Sequence, residues 1–587
     1  MKLSFASLAY FAVKSFFYRK GRKKQKRPIC SRLQYMRCLL SFLLIVFLAS
    51  GAHSPANEES PIFQIPLWIK QLGDDSFLVR QRAETLLIHA GIQAYPELQR
   101  AKLSRDLEIA RRAEYVLSQI EQFFSTTDNR AVALWVKWYI EAPDQASKAR
   151  FLRALASPTL DNNKGEGLHT LCRLVRFDEN ASLRLEAAKT LIAYPPVSPM
   201  LRQKWYQHIR DHFRETDADE LFQSLGRFSR LWCDLDNADE KTTPELQNRV
   251  RQVSAETLRL LERPENNVQV GSTVDIMLHY AVAELQEAVG LTEEKDATIA
   301  AALAIVPEPI QSVTPPQSIG NVDNNLFMYE HYDSGVCLLL RFRLHWAMAH
   351  FQKVMETGDI QLRILASEKA AEIAQFLADY LAAAAYYDNH IEFLNSPEFR
   401  RGHNPDSLIA LARKQKAYCL AEQAAVEENW EGVREYVIQA WSIPNVPIDV
   451  RDIRLVILAY QFSEQRSDVV QEFKDKMESV LKQIWKHISD NSRDPPDSPM
   501  ENLPSSSNNA AWLLVNTGGD YSSALLLAET AVRIEPDNPV FLDTLAHVYF
   551  YGGKIDEAIR AQEQAVHLAP EAVIFRRSLE RFQRAKK

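Results

Sequence analysis

One loop in the sequence places acidic residues near the spacing of a calcium ligand set. From Asp234 to Glu245 (DLDNADEKTTPE), Asp stands at loop positions 1 and 3 and Glu at 12. The set fails where it matters: Asp239 occupies position 6, where the sharp turn needs Gly, and Ala238 at position 5 has no oxygen to offer. The segment reads instead as an acidic loop leading to a helix start at Thr243-Pro244-Glu245. His345 and His350 are five apart, so on a helix they point to different faces and do not form a shared metal pair. The sequence contains no GxGxxG or GxxxxGK[ST] phosphate cradle, no HExxH and no GxSxG. Its many carboxylates fall on solvated helix faces, with no pair set apart from the others. The expectation is therefore no metal, no cofactor and no catalytic residue.

What remains is binding, and the elements able to present a binding face are repeats. At the C-terminus, NTGGDYSSALLLAETAVRIEP aligns with YFYGGKIDEAIRAQEQAVHLAP. The alignment pairs Gly518 with Gly552, Gly519 with Gly553, Ala524 with Ala558, Ala531 with Ala565, Val532 with Val566 and Pro536 with Pro570, each at an offset of 34. Small residues let helices cross closely, paired glycines permit a tight turn, and a proline ends the second helix. This resembles the tetratricopeptide repeat (TPR), a helix-turn-helix unit. Tyr549 falls at the family's first-helix tyrosine, whereas the first repeat has Val515 there and bulky Trp512 at a position usually small. The resemblance implies a binding groove formed by first helices, on Asn509, Leu513, Asn516, Asp543, His547 and Phe550, with Tyr551 alongside. Asp543 and His547 are four apart and share a face, so a protonated His547 would pair with Asp543 and make binding pH-sensitive. The set lacks the Lys and Asn arrangement with which some relatives clamp a terminal carboxylate. Residues 571–587 read as a basic capping helix.

Degenerate hairpins of the same look run through His279 to Pro307, Glu372 to Leu394 and Ala417 to Pro444, the last with Asn429-Trp430 at its turn. Nearer the N-terminus a different unit recurs, with a loop Asp, a hydrophobic residue and an Arg opening a helix. Its examples are Asp75 with Val79-Arg80, Asp106 with Ile109 and Arg112, and Asp178 with Leu183-Arg184. This resembles the HEAT repeat, which implies that the Arg reaches a neighbouring repeat's loop carboxylate to lock the stack. Proline-rich stretches at 307–325 and 488–508 break the helical pattern, and the second is expected to be a linker.

Only 18 of 587 residues are Gly, well under the usual ~7%, which suits helices more than turn-rich sheets. Eleven Lys or Arg (Lys2, Lys14, Arg19, Lys20, Arg22, Lys23, Lys24, Lys26, Arg27, Arg32 and Arg37) precede the first acid, Glu58, so the net charge of −7 becomes −7 − 11 = −18 for the body. So acidic a body repels phosphate backbones, and no nucleic-acid partner is expected. The apolar run Cys38–Ala49, preceded by basic residues and followed by Ser50, Gly51 and Ala52, is short of the ~20 residues that span a bilayer and has the layout of a cleavable signal peptide. An uncleaved anchor would leave the body on the same side of the membrane. Met36-Arg37 directly before the run makes Met36 an alternative start. Cys172, Cys233, Cys337 and Cys419 form no CxxC and read as buried thiols.

The sequence thus predicts an all-α chain, an α-solenoid of helical repeats. It has a leader over 1–52, HEAT-like repeats over 62–195 and degenerate TPR-like hairpins over 196–306 and 326–487, interrupted by the loop 307–325. The linker 488–508, two TPR repeats over 509–570 and the cap follow. The expected role is an exported, periplasmic or envelope scaffold for a protein or peptide partner. The rival is a cell-envelope hydrolase with its site in the middle block. Exported lytic transglycosylases also join a signal peptide to a helical superhelix, but this chain has repeats where their catalytic domain stands.

Overall fold

The computed structural model describes residues 64–587 apart from 92–93, 120–129, 157–166, 197, 216, 218, 238–241, 261–271, 306–328, 467–468, 470, 492–502 and 587. The signal-like run, the centre of the acidic loop and the 307–325 stretch lie outside the described residues. Among those described there is no strand, and no helix is long and apolar enough to cross a membrane. The chain divides into two compact units, the first ending at Ile120.

In the first unit, α1 (Ile65–Gln71) pairs with α2 (Phe77–Ala90) and α3 (Tyr95–Ala101) with α4 (Leu107–Gln119). The two hairpins share a core of Ile65, Leu72, Ala83, Leu87, Leu98, Ala113 and Val116. They approach closely at Gly73, where a Cβ would stand 2.8 Å from Ile109. The arginine locks form here with different partners from those expected. Arg80 donates to the Asp74 and Asp75 carbonyls at 2.6 and 3.0 Å and pairs with Glu108 at 3.3 Å, and Arg112 pairs with Glu84 and Glu108. The loop carboxylates are already committed as helix starts: Asp106 accepts from the Glu108 N–H, Asp74 from the Ser76 N–H.

The second unit opens with α5 (Arg130–Glu141) and α6 (Gln145–Ala156), then α7 (Leu168–Phe177), α8 (Ala181–Ala193), α9 (Pro199–His212) and α10 (Glu220–Asn237). Arg184 reaches the next hairpin's loop carboxylate, Asp219, at 2.6 Å, the lock expected of the repeat. No break in packing marks residue 195: Trp205 donates its indole N–H to the Leu191 carbonyl at 2.9 Å, and one apolar cluster runs from Val132 to Ile373 and takes in Ala569, Ala572 and Phe575. Next come α11 (Pro244–Arg259), α12 (Ser272–Ala288), α13 (Thr292–Ala304), α14 (Tyr329–Leu340), α15 (Leu344–Thr357) and α16 (Ile360–Phe376). As expected, α11 starts at Pro244 with Thr243 as its cap, and Asp234 pairs with Arg249 at 2.7 Å.

The middle block buries a polar chain that the sequence did not announce. Tyr280 Oη lies 2.7 Å from His350 Nε2, His350 Nδ1 is 2.8 Å from His331 Nδ1, and His331 Nε2 is 3.1 Å from the Ile305 carbonyl. Among the described residues the four cysteines are free thiols, Cys172, Cys233 and Cys419 being buried.

The remaining helices are α17 (Tyr380–Asn395), the short α18 (Pro397–Arg400), α19 (Asp406–Val426), α20 (Trp430–Ser442), α21 (Ile453–Gln465), α22 (Gln471–Asn491), α23 (Leu503–Asn516), α24 (Tyr521–Ile534), α25 (Pro539–Tyr551), α26 (Ile555–Leu568) and α27 (Val573–Lys586). Helix α22 runs into the stretch expected to be a linker and α23 begins inside it. Ile484 and Ile488 share a core cluster with Ala510 and Leu513, so the C-terminal repeats pack on the hairpins before them.

Candidate functional site

The C-terminal repeats form as the sequence predicts, with one change of register. Second helices α24 and α26 start 34 residues apart (555 − 521), but first helices α23 and α25 end 35 apart (551 − 516). The left-handed turn residues are Gly518 (φ 69°) and Gly553 (φ 74°), also 35 apart (553 − 518). The first turn therefore holds one extra residue. The matching residues become Ala511 with Ala546, both with no exposed surface, and Trp512 with His547. Ala511 packs against Ala524 and Ala528. The apparent departure at Trp512 disappears, since the small residue sits at the helix crossing and the indole stands one position on, toward the inner face.

That inner face carries a ladder from first helix to first helix. Glu422 on α19 pairs with Arg454 on α21 at 2.6 Å, the Arg454 guanidinium stands 5.6 Å from the Trp512 ring on α23, and Trp512 meets His547 on α25 edge-on at 4.7 Å. His547 in turn meets Phe582 on α27 edge-on at 5.0 Å, and Phe582 stacks on Phe550 at 4.6 Å. Enclosure works against the charge on Arg454, but Glu422 prevails and holds its pKa raised. The Arg454 side chain nonetheless keeps 41% of its surface open. Beneath Arg454, Lys414 and Asp452 form a fully enclosed pair at 2.7 Å.

The sequence-predicted groove residues are only partly available. Tyr551 is exposed, and Arg581 lies over its ring and that of Phe550. Asp543 accepts from Gln562 at 2.8 Å, and His547 is buried with its Nε2 3.1 Å from Ser578 Oγ. Leu513 is wholly buried, Asn509 is half-buried, and Asn516 turns its amide back to the Trp512 carbonyl at 2.8 Å. The capping helix α27 accounts for the burial of His547, whose ring meets Phe582 and whose Nε2 lies against Ser578.

The expected charge pair between His547 and Asp543 is corrected by the same burial. Their atoms stand 3.9 Å apart, but burial, with Arg581 and Arg454 nearby, lowers the imidazole's pKa to about 3 and keeps it neutral. Burial raises the Asp543 carboxyl to about 6 against the opposing Gln562 hydrogen bond. Mild acid therefore titrates Asp543 rather than His547. Arg454, Glu422 and Trp512 were missed because a single-repeat motif carries no information about which side chains from successive first helices meet.

A cavity of about 570 Å³ opens elsewhere, among Glu287, Arg343, His345, Asp379, Glu571 and Arg576. Each carboxylate there has a structural partner: Glu287 takes Arg343 at 2.6 Å, Asp379 caps α17 through the Ala382 N–H, and Glu571 accepts from the His345 N–H.

No protein-family model matches the chain, and no curated protein matches it. Solved structures similar to it include the APC/C hetero-tetramer Cut9–Hcn1, at 12% identity over 93% of this chain and 99% of that one, with a TM-score of 0.27. The human IFIT1 dimer with PPP-AAAA matches at 14% identity over 87% and 95%, with a TM-score of 0.20. The TPR domain of P58(IPK) matches at 12% identity over 75% and 98%, with a TM-score of 0.19. Such low scores add nothing to the internal geometry, which itself is that of helix-turn-helix repeats of the TPR kind: a 34-residue step between second helices, alanines at the crossings and left-handed glycines in the turns.

Proposed function

We propose that this chain is an exported scaffold that holds a protein or peptide partner along the first-helix face of its C-terminal half. The observation that carries the reading is the Glu422–Arg454–Trp512–His547 ladder, which lines successive first helices with a half-open guanidinium and rigid aromatic rings, the residue types that dominate binding energy at protein interfaces. Tyr551, Phe550 and Arg581 mark the open end of the face, with Asp543 behind them and Asn509 and Asn516 on the preceding first helix. Asp543 is held by Gln562 and His547 Nε2 lies against Ser578, an arrangement that suits recognition better than proton transfer. The acidic balance of the body favours a protein partner over a nucleic acid.

The partner is to be recovered by affinity purification of the exported protein from its own cells with mass spectrometry, in parallel with the double variant Arg454→Ala/Tyr551→Ala. Loss of the recovered partner from the variant, with helical circular dichroism unchanged, is the expected result. Undiminished capture would move binding off this face. N-terminal sequencing of the same material is expected to begin between residues 50 and 53, whereas an intact Met1 in a soluble cytoplasmic fraction would end the export reading.

A further inference from the structure

The capping helix brings exposed cations to the first-helix face. Arg577 and Arg581 are four apart on α27, so they share one side of it, and both are exposed. Among the described residues neither has a carboxylate partner, and Glu580, the one acid of α27, is taken by Arg584 at 3.3 Å. Arg581 sits in a corner between two rings. Its guanidinium lies 5.0 Å from the Phe550 centroid and 5.9 Å from that of Tyr551, and the rings stand at 78° to each other. Contact with aromatic rings holds a guanidinium in place and leaves N–H groups free for an acceptor. Arg454 adds a third cation, which meets Glu422 through Nε and Nη2 at 2.9 and 2.6 Å and keeps Nη1 for another acceptor. The fields of Arg454 and Arg581 both reach His547, and those of Arg454 and Arg577 both reach Tyr380, so the three guanidiniums surround one stretch of the face. The acids beside them are enclosed: Glu422 is buried, and Asp543, largely so, is held by Gln562.

In a strongly acidic body, open guanidiniums beside exposed aromatic surface have a definite complement. Given the scaffold reading, we propose that the partner segment held on this face is acidic and extended. Its side-chain carboxylates, at alternate positions, meet Arg577 and Arg581, and an aromatic or apolar side chain lies against Tyr551. The spacing fits: one helical turn sets the two arginines roughly 6 Å apart along the axis, and alternate residues of an extended chain stand roughly 6.6 Å apart on one side. Carboxylates match the guanidinium fork, which donates two parallel hydrogen bonds to one acid. They are side chains and not a chain end, since the face lacks the Lys and Asn arrangement that clamps a terminal carboxylate. A nucleic acid fits worse, because its phosphates continue past the three cations onto the acidic body.

Fluorescence anisotropy on the full chain, with a labelled, end-capped peptide of alternating glutamate and tyrosine as the probe, tests this. Affinity is expected to fall by about tenfold or more in Arg577→Ala/Arg581→Ala, with helical circular dichroism unchanged. Arg533→Ala/Arg560→Ala removes as much charge from exposed positions on second helices α24 and α26 and is expected to leave affinity unaltered. The same peptide with glutamine for glutamate is expected to bind at least about tenfold more weakly. A glutamate peptide that binds no better than its glutamine twin, or equally well to Arg577→Ala/Arg581→Ala, overturns the acidic segment. Tighter binding of a labelled oligothymidylate at the same arginines does so too. The cellular partner separates this from the scaffold reading: capture lost in Arg454→Ala/Tyr551→Ala but kept in Arg577→Ala/Arg581→Ala leaves the scaffold and removes the acidic segment, whereas capture kept in both removes the scaffold face itself.

Discussion

Lowering the pH from about 7 to about 4.5 is expected to destabilise the second unit through His331 and His350. Both are wholly buried, and one tautomer set satisfies their chain. His331 Nε2–H donates to the Ile305 carbonyl, so its Nδ1 accepts from His350 Nδ1–H, and His350 Nε2 accepts from the Tyr280 hydroxyl. An added proton on His331 sets two N–H groups face to face, whereas one on His350 Nε2 turns the Tyr280 hydroxyl from donor to acceptor. Burial, with Lys353 nearby, lowers the His331 pKa from 6.5 to about 4, and burial lowers His350 well below its ordinary value. Because the folded-state values lie below the unfolded ones, the unfolded chain binds more protons between about pH 6.5 and 4. Stability is full above that window and is lost as the pH falls through it. For His331 alone the loss comes to roughly 3 kcal/mol, from about 1.4 kcal/mol per pKa unit. Urea unfolding at stepped pH measures it, with His331→Gln, which cannot take up the proton, as the comparison. Asp333 and Asp543, each raised to about 6 by burial, act in the opposite sense, His547, lowered to about 3, acts in the same sense, and all cancel in the difference. A wild-type chain whose midpoint shifts no more than that of His331→Gln across this window would refute the reasoning.

Ala558 has no exposed surface and packs with Ala546 and Ala561, so Ala558→Trp is expected to cost more than about 2 kcal/mol by overpacking. Glu557→Gln on the surface is the control for thermal melts, and equal melting of the two variants would misplace the crossing. Lys414→Ala leaves Asp452 enclosed without its cation and is expected to cost about 3–5 kcal/mol, whereas Lys414→Met/Asp452→Leu is expected to recover most of it. Chemical denaturation of both variants checks this, and a single variant as stable as the double would contradict it. Gly553→Ala at φ 74° is expected to cost about 1 kcal/mol, read by the same melts.

The repeats were legible because helix crossings demand small residues at a fixed step, so Ala524, Ala531, Ala558 and Ala565 carry their period on the surface of the sequence. The extra residue in the first turn was not, because Gly518-Gly519 and Gly552-Gly553 allow the left-handed position to fall on either member of each pair. The expected groove positions lie on first helices α23 and α25, but the sequence does not tell that Phe582 and Ser578 of α27 meet His547, since a basic amphipathic helix reads equally as a free cap. The hydrogen-bonded chain through Tyr280, His331 and His350 draws on three helices, and the link from Glu571 to His345 joins residues 226 apart. Neither leaves any local periodicity to find. The arginine motif succeeded at Arg184, where Asp219 caps its own helix through one oxygen and takes the guanidinium on the other, and took Glu108 at Arg80.

Whether partners meet the first helices can be measured directly by photo-crosslinking in the native cells. A photoreactive phenylalanine analogue is placed at Tyr551, exposed on first helix α25, or at Leu526, exposed to a similar degree on second helix α24. Partner adducts from position 551 and none from 526 are the expected result. Adducts from 526 alone would contradict binding along the first-helix face.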